Sequence, residues 1–197
     1  MNHSLLKRKQ ETSNDGDSAQ KANDFQTPAY AIKPLLSLIK KNHVIWECSV
    51  GEGNLTNAFT DNGYVVFSSD IKKNKFGPSV DFLDNSTVDA RVFTCIVTNP
   101  PYLPRGIKDK FLEQCYWWYE NYNKPFALLM PLSALEGKKR QAMYKKYGLH
   151  LILMNKRINY ITPNKREGTT SWFASAWFTC GFTNSYGVER EITYYEF

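Results

Sequence analysis

The feature that most constrains the fold of this chain is its alternation between short apolar segments and segments with helical periodicity. In the first two thirds, the strand-like segments lie at 44–48, 64–69, 92–98 and 126–130. The helix-like segments lie at 29–40, 54–61, 107–120 and 136–147. Nearly continuous apolar strands separated by helices are typical of a parallel sheet that helices cover on both faces. The sequence therefore predicts an α/β fold with a doubly wound, mostly parallel sheet.

The last third of the chain has a different pattern, because its strand-like segments follow one another without helices between them. Residues 149–154 and 172–179 are apolar strand candidates, and 191–195 is a weaker one. We expect an antiparallel hairpin at the C-terminal edge of the sheet. Residues 1–22 are polar and mixed in charge, which predicts a disordered tail followed by a single domain over 23–197.

Composition limits the partners and cofactors that the chain can have. Its formal net charge of +6 and its pI near 9.0 suit either a nucleic-acid partner or a basic surface that only keeps the protein soluble. The four cysteines and three histidines are too scattered for ligand spacing, so no metal is expected. No apolar run has the length of a membrane span, which favours a cytoplasmic protein without membrane contact.

A glycine-containing segment, Glu47 to Leu55, lies where the first predicted strand turns into a helix. Gly51 and Gly53 allow a sharp turn and let the backbone approach a ligand closely, because neither carries a Cβ. In a doubly wound sheet this turn lies in the crevice where ligands bind. Thr56 stands where a dinucleotide-binding fingerprint requires a third glycine, which argues against NAD.

Two acidic positions further along the chain each have two interpretations. Asp70 ends the next predicted strand, where it either accepts hydrogen bonds from ribose hydroxyls or caps a turn. Asp81 and Phe82 follow a short extended piece, where they either contact an adenine or belong to a loop beside the core.

The most specific feature is the tetrapeptide Asn99-Pro100-Pro101-Tyr102, directly after the apolar strand that ends at Thr98. Two prolines stiffen the backbone and remove two N–H donors, so that the carbonyls and the Asn99 side chain are available as acceptors. Such a loop suits recognition of an amino group. Its place at the carboxyl end of a strand predicts that it meets Gly51 and Gly53 in one crevice.

Taken in order, Glu47–Leu55, Asp70, Asp81-Phe82 and Asn99–Tyr102 resemble the motifs of class I S-adenosylmethionine-dependent amino-methyltransferases of the adenine-N6 type. Residues 129–133 and 157–178 look like compact, phage-encoded, Dam-like members. The resemblance spans roughly 24 to 182. It implies an S-adenosylmethionine cofactor and methyl transfer to the N6 amine of adenine in a nucleic acid, DNA in preference to RNA.

The resemblance also implies roles for individual residues. Catalysis would fall to the tetrapeptide, with the Asn99 side chain and the Pro100 carbonyl accepting from the target amine and Tyr102 stacking on the base. The Thr27-Pro28 pair would contact the methionine end of the cofactor, Asp70 its ribose, and Asp81 with Phe82 its adenine. The full set of implied cofactor-binding residues is Thr27, Pro28, Glu47, Cys48, Ser49, Gly51, Gly53, Asn54, Asp70, Ile71, Asp81 and Phe82.

Nucleic-acid contact is expected from residues 156–171, which are either a binding loop or a solvated hairpin loop. The residues proposed for this contact are Arg157, Tyr160, Lys165 and Arg166. The chain resembles restriction-system enzymes without their separate target-recognition domain, because the residues after Tyr102 are needed to complete the sheet. Specificity could therefore come from a very short site, a homodimer or a partner subunit.

Three other functions remain open at this stage. The target could be adenine in RNA. It could also be a protein glutamine, since Asn-Pro-Pro-Tyr serves methylation of planar nitrogens in general, although the basic charge argues against a protein substrate. A cofactor-binding subunit of a larger methyltransferase complex is the third alternative.

Overall fold

The computed structural model describes residues 25–161, 171, 173–182 and 190–197. Its strands are β1 (Val44–Glu47), β2 (Val65–Ser68), β3 (Cys95–Thr98), β4 (Phe126–Pro131), β5 (Leu149–Met154), β6 (Ser175–Cys180) and β7 (Arg190–Tyr195). Its α-helices are α1 (Asn54–Asp61), α2 (Ile107–Tyr122) and α3 (Lys138–Tyr147). Two 3-10 helices cover Ala29–Leu35 and Leu132–Leu135.

The seven strands form one sheet in the order β2-β1-β3-β4-β6-β5-β7. Strands β2, β1, β3 and β4 are parallel, and β6 runs antiparallel to both of its neighbours, β4 and β5. The predicted mostly parallel α/β sheet with an antiparallel pair is thereby confirmed. Because β6 is reversed, β5 points the same way as β4, so the carboxyl ends of β1, β3, β4 and β5 lie at one edge of the sheet.

The C-terminal strands are arranged in a way that the hairpin prediction did not specify. Strand β6 is inserted between β4 and β5, and all six of its residues are buried, as expected for an interior strand. Strand β7 pairs in parallel with β5 and forms the outer edge. There Ile192 and Tyr194 are 56% and 77% exposed, which explains why the sequence pattern of this strand is weak.

The first predicted helix is shorter than expected. Residues 29–40 were predicted to be helical, but the 3-10 helix ends at Leu35 and contains Pro34. Proline has no N–H to donate and its ring clashes with the preceding turn, so a regular α-helix is not continued through it. Pro28 occupies the N-cap position of this 3-10 helix, and no side-chain capping bond is formed.

Large aromatic side chains pack under the sheet on the α2 and α3 side. Trp46 is 1% exposed, and its ring lies 5.1 Å from Phe82, 4.7 Å from Phe93 and 5.9 Å from Trp118, centroid to centroid. Burying side chains of this size contributes on the order of 2–3 kcal/mol each. This cluster holds the Phe82 side chain in place by packing against its ring.

The opposite face of the sheet is covered by the first 3-10 helix and α1. Alternate residues of the same strands, such as Ile45, Val97 and Ala127, point into this second core. Within the described residues, none of the helices combines the length and the apolar character needed to cross a membrane.

Candidate active site

A cavity of about 500 Å³ lies at the carboxyl ends of β1 and β3. Its walls come from the loops after β1, β2 and β3 together with the segment before the first 3-10 helix. Of the residues predicted for the site, those on its wall are Thr27, Glu47, Cys48, Ser49, Gly51, Asp70, Ile71, Asp81, Phe82, Asn99, Pro100, Pro101 and Tyr102. The sheet thus brings together segments that are more than 70 residues apart in the sequence.

Asp70 joins the first two loops of the cavity. Its Oδ2 accepts a hydrogen bond from the Gly51 N–H at 3.0 Å, and its Oδ1 accepts from the Lys72 N–H at 2.9 Å. The bond from Lys72 caps a turn, so the turn-capping role that the sequence suggests for Asp70 is one of its roles. An ionised carboxylate has about four acceptor positions, so Asp70 can still accept from a ligand in the cavity.

Gly53 does not line the active-site cavity but allows a close packing contact next to it. It adopts φ +81° immediately before α1, and a Cβ placed on it would lie 2.3 Å from the ring of Phe76. Three of the predicted cofactor residues, Pro28, Gly53 and Asn54, are not among those that line the cavity. Gly53 instead allows the loop after β2 to fold down over the start of α1.

Glu47 is a buried carboxyl group at the end of β1. Its Oε1 accepts from the Ser49 N–H at 3.1 Å and from the Thr98 hydroxyl at 2.5 Å. Its Oε2 is buried and has no partner within the described residues. Burial raises the pKa of Glu47 to about 8, against the opposing effect of the bonds from Thr98 and Ser49.

Ser49 and Asn99 connect the glycine loop to the tetrapeptide. The Ser49 hydroxyl donates to the Asn99 carbonyl at 3.1 Å and lies 2.5 Å from the Thr98 hydroxyl. The Asn99 Nδ2 donates to the Phe25 carbonyl at 3.4 Å, which orients the amide. In the part of the chain that the structure describes, its Oδ1 is buried and accepts no hydrogen bond.

Tyr102 is half-buried in an aromatic setting at the mouth of the cavity. Its ring lies 6.2 Å from Phe25 and 5.5 Å from Phe173, and the Lys108 Nζ stands 3.7 Å above the ring centroid. Burial raises the pKa of Tyr102, and the proximity of Tyr160 adds to this effect. Burial also lowers the pKa of Lys108 to about 8, with a further contribution from Arg140.

Asp81 and Phe82 differ in their surroundings. Asp81 is exposed and its Oδ1 accepts from the Leu83 N–H at 2.9 Å. Phe82 is 2% exposed, and its ring packs against Trp46 and against Phe111 at 4.8 Å. Phe82 therefore serves the core and the cavity wall at once.

Of the four residues predicted for nucleic-acid contact, the structure describes two, Arg157 and Tyr160, and these two differ in exposure. Arg157 is exposed, and its Nη1 donates to the Ser171 carbonyl at 3.0 Å. Tyr160 is only 8% exposed: its hydroxyl donates to Ser175 at 2.9 Å, and its ring packs beside Phe25 and Phe173. A ring buried in this way supports the surroundings of Tyr102 and offers little surface for direct stacking. Lys165 and Arg166 lie outside the described residues.

Several residues of the site were not found from the sequence. Gln26 accepts from the Glu52 N–H at 3.2 Å and Phe25 contacts Tyr102, so both belong to the wall. The sequence could have indicated both residues, since they directly precede the predicted cofactor-binding pair Thr27-Pro28. Thr98 could also have been found, because β3 neighbours β1 and both strands end at the crevice. Lys108 has no such signal, since its contact depends on how the loop after Tyr102 folds back.

Comparison with known proteins supports the fold. No protein-family model matches the chain, and no curated protein matches it. Among solved structures, the methyltransferase subunit of a type I restriction-modification system from Streptococcus thermophilus matches with a TM-score of 0.56 and 17% identity. That match covers 85% of this chain and 47% of the other.

A second solved structure is described as a candidate class I S-adenosylmethionine-dependent methyltransferase from Listeria monocytogenes. It matches with a TM-score of 0.59 and 16% identity, over 89% of this chain and 67% of that one. At such identities the likeness concerns the fold, and the chain has the Rossmann-like fold of class I methyltransferases. It spans about half the length of the Streptococcus protein.

Proposed function

We propose that this chain transfers the methyl group of S-adenosylmethionine to the N6 amine of adenine in DNA. One observation carries the proposal: the loop with Gly51, the carboxylate of Asp70 and the tetrapeptide Asn99–Tyr102 line a single cavity. A cofactor loop and an amine-recognition loop in the same crevice are what direct transfer between two bound molecules requires.

The cavity has groups that fit S-adenosylmethionine. Its volume of about 500 Å³ lies in the usual range for sites of small molecules and cofactors. Asp70 lines the cavity and, in this proposal, accepts hydrogen bonds from the ribose hydroxyls. The buried and unpartnered oxygens of Glu47 and Thr27 suit the amino end of the methionine moiety, because each gains a hydrogen bond when that end is bound. Val80 and Phe82 offer apolar surface for the adenine ring.

The chain's own contribution to the reaction lies at Asn99 and Pro100. When bound, the cofactor would supply an electrophilic methyl group: the electron pair of the sulfur–carbon bond would stay on sulfur, N6 would gain the methyl group, and its proton would go to solvent. The lone pair of an adenine amine is conjugated with the ring, which makes the amine a weak nucleophile. Acceptors at Asn99 Oδ1 and the Pro100 carbonyl favour a pyramidal nitrogen and stabilise the positive charge that develops on it.

Tyr102 gives the target base a stacking surface. A base in a duplex must leave the helix to reach such a cavity, and stacking on an aromatic ring offsets part of that cost. Because Phe25 and Phe173 pack around Tyr102, the ring is held at the mouth of the cavity before a base arrives. The Lys108 ammonium on the ring face would have to move aside for a stacked base.

DNA is proposed as the substrate on two grounds. The net charge of +6 favours a polyanion over a protein. One of the structural neighbours is a methyltransferase subunit of a restriction-modification system. The proposed cytoplasmic location agrees with such a substrate.

The test is transfer of an isotopically labelled methyl group to unmethylated DNA, RNA and total protein, followed by nucleoside and amino-acid analysis. We expect N6-methyladenine from DNA. Label in N4-methylcytosine, in RNA alone, or in glutamine would contradict the proposal, and each result would identify the true substrate. Binding of S-adenosylmethionine without transfer to any of the three would favour a subunit that needs a partner.

A further inference from the structure

A second cavity, of about 560 Å³, lies outside the candidate active site and is basic. Its lining residues are Tyr30, Lys33, Lys156, Arg157, Asn159 and Phe197. We call this cavity the basic groove. None of the lining side chains is acidic, and in the described part of the chain none of the three cations forms an ion pair. Arg157 makes one hydrogen bond, to the Ser171 carbonyl, and this leaves most of its N–H groups for a ligand.

The basic groove lies at the same edge of the sheet as the candidate active site. Residues 155–161 follow the carboxyl end of β5, which points the same way as β1 and β3. Gln26 and Ile161 exchange two backbone hydrogen bonds of 2.9 Å, so the chain after β5 is paired with the wall of the active-site cavity. The two cavities are therefore neighbours on one edge.

Aromatic rings connect the wall of the active-site cavity to the chain after β5. Phe25 lies 6.2 Å from Tyr102 on one side and 6.1 Å from Tyr160 on the other, centroid to centroid. Beyond it, Ile161 is 44% exposed. A strand with one base at Tyr102 would thus cross an apolar strip before it reaches Arg157.

The basic groove is held in shape by contacts among its own parts. The Asn159 N–H donates to the Tyr30 hydroxyl at 2.8 Å, and the Tyr30 ring meets Phe197 edge to face at 5.1 Å. The Phe197 N–H donates to the Asn155 Oδ1 at 3.2 Å. Since these bonds join the 3-10 helix, the loop after β5 and the end of β7, little ordering is needed when a ligand binds.

We propose that the basic groove binds the sugar-phosphate backbone of DNA next to the target adenine. This inference rests on the proposed function for the position of the adenine. Lys33, Lys156 and Arg157 supply the positive charge for phosphates, and Tyr30 and Phe197 offer aromatic surface to a neighbouring base. Backbone contacts of this kind position the strand and carry no sequence information by themselves.

The test compares two triple variants that lose the same charge. The groove variant is Lys33→Gln/Lys156→Gln/Arg157→Gln. The control variant is Lys40→Gln/Lys41→Gln/Lys145→Gln, whose positions lie toward the opposite edge, before β1 and before β5. Binding of a short fluorescein-labelled DNA duplex of mixed sequence is measured by anisotropy over a series of salt concentrations.

The logarithm of the affinity falls linearly with the logarithm of the salt concentration, and each lost phosphate contact makes this slope shallower by about 0.9. We expect the groove variant to lose about 2 to 3 units of slope and the control variant much less. The double variant Lys33→Gln/Lys156→Gln keeps the Arg157–Ser171 bond and should lose about 2 units, which guards against a folding defect in the triple variant. Equal slopes for the groove variant and wild type, or equal losses in both triple variants, would overturn the inference. Binding of RNA but not of DNA by wild type would overturn it as well.

A methyl-transfer assay on the same proteins separates the two proposals. If wild-type protein methylates DNA while the groove variant keeps the wild-type salt slope, DNA binding by the basic groove is refuted and the proposed function stands. If the groove variant loses DNA affinity but wild type transfers no methyl group to DNA, the groove stands as a DNA-binding site and the proposed function fails. Affinity for S-adenosylmethionine should be the same in all variants, because the groove residues do not line the other cavity.

Discussion

Two oxygens in the wall of the active-site cavity, Glu47 Oε2 and Asn99 Oδ1, are buried without a hydrogen-bond partner among the described residues. A buried polar atom in this condition costs about 1–3 kcal/mol. The neighbouring atoms of both groups are well bonded, since Glu47 Oε1 accepts two hydrogen bonds and Asn99 Nδ2 donates one. The unsatisfied oxygens are therefore held in place, and a bound ligand can supply the hydrogen bond that each of them lacks.

Asn99→Ala tests the acceptor proposed for the target amine. Loss of one aligned electrostatic partner should lower kcat by about 10²- to 10³-fold. Affinity for S-adenosylmethionine, measured by calorimetry, should change little, because the proposed contact of Asn99 is with the amine. Asn57→Ala removes an exposed amide on α1 and is the matched control. A kcat within a few-fold of wild type, or equal losses in both variants, would count against the proposed role.

Glu47→Gln tests whether the pKa of the buried carboxyl group is raised, through the pH dependence of the free energy of unfolding. The pKa of Glu47 is raised from 4.5 to about 8 in the folded protein, so between these values the folded state binds more protons than the unfolded state. The free energy of unfolding should then fall as pH rises from about 4.5 to about 8, by at most about 1.4 kcal/mol per pH unit, and level off above. In Glu47→Gln, which has no ionisable group at this position, this fall of the free energy of unfolding with pH should be absent.

Urea unfolding at a series of pH values measures the effect of Glu47. The stability of Glu47→Gln relative to wild type should increase from pH 5 to pH 8. Glu113→Gln, which removes an exposed carboxylate on α2, is the control for a change in net charge. Parallel curves for wild type and Glu47→Gln would show that the carboxyl group is ionised in the folded protein at neutral pH.

At the scale of single elements, the loop after β2 depends on its contact with the start of α1. Gly53 has φ +81° and a Cβ there would meet the Phe76 ring at 2.3 Å, whereas Gly63 has φ +76° with nothing within 4 Å of its Cβ position. Both glycines have a positive φ that would strain alanine, but only at Gly53 does the Cβ position meet another side chain. They form a natural pair for comparison.

Gly53→Ala should therefore destabilise the protein more than Gly63→Ala. Alanine at a positive φ costs about 1 kcal/mol in both variants, and the clash with Phe76 adds to this at Gly53 alone. Chemical unfolding of the two variants gives the difference directly. Gly53→Ala/Phe76→Ala should recover part of the added loss. Equal destabilisation in both single variants would mean that the Phe76 ring moves aside freely.

Some elements could be predicted from the sequence and others could not, for physical reasons. Strands β1, β3 and β4 are buried on both faces, so their apolar runs identify them. The exposed edge strand β7 lacks that signal. Pro34 disfavours a continuous α-helix over residues 29–40, because proline lacks the N–H and its ring clashes with the preceding turn, so the helical periodicity of this segment is misleading.

At the scale of the whole molecule, the parallel order of the sheet determines which loops meet. The crevice with Gly51, Asp70 and Asn99 could be predicted because strands β1 and β3 are neighbours with the same direction. The position of the basic groove could not, because it requires the reversal of β6, which directs β5 to the same edge. Lys33 and Arg157 are far apart in the sequence, and no local pattern joins them.

Binding of S-adenosylmethionine should stabilise the whole fold, since the proposed pocket draws on the loops after three strands and exists only in the folded protein. A ligand at 100 times its Kd adds about 2.7 kcal/mol to the free energy of unfolding. For a domain of this size that corresponds to a rise in Tm of about 5–10 °C. Thermal unfolding with S-adenosylmethionine, with S-adenosylhomocysteine and with NAD measures this shift.

The first two ligands should raise the Tm and NAD should not, because Thr56 replaces the third glycine of the dinucleotide-binding fingerprint. Asp70→Ala should reduce the shift, since it removes the acceptor proposed for the ribose and the partner of the Gly51 N–H. Asp61→Ala, at the exposed end of α1, is the control and should keep the full shift. A Tm that responds to none of the three ligands would mean that the cavity at the carboxyl ends of β1 and β3 binds something else, and methyl transfer at Asn99 would then need another methyl donor.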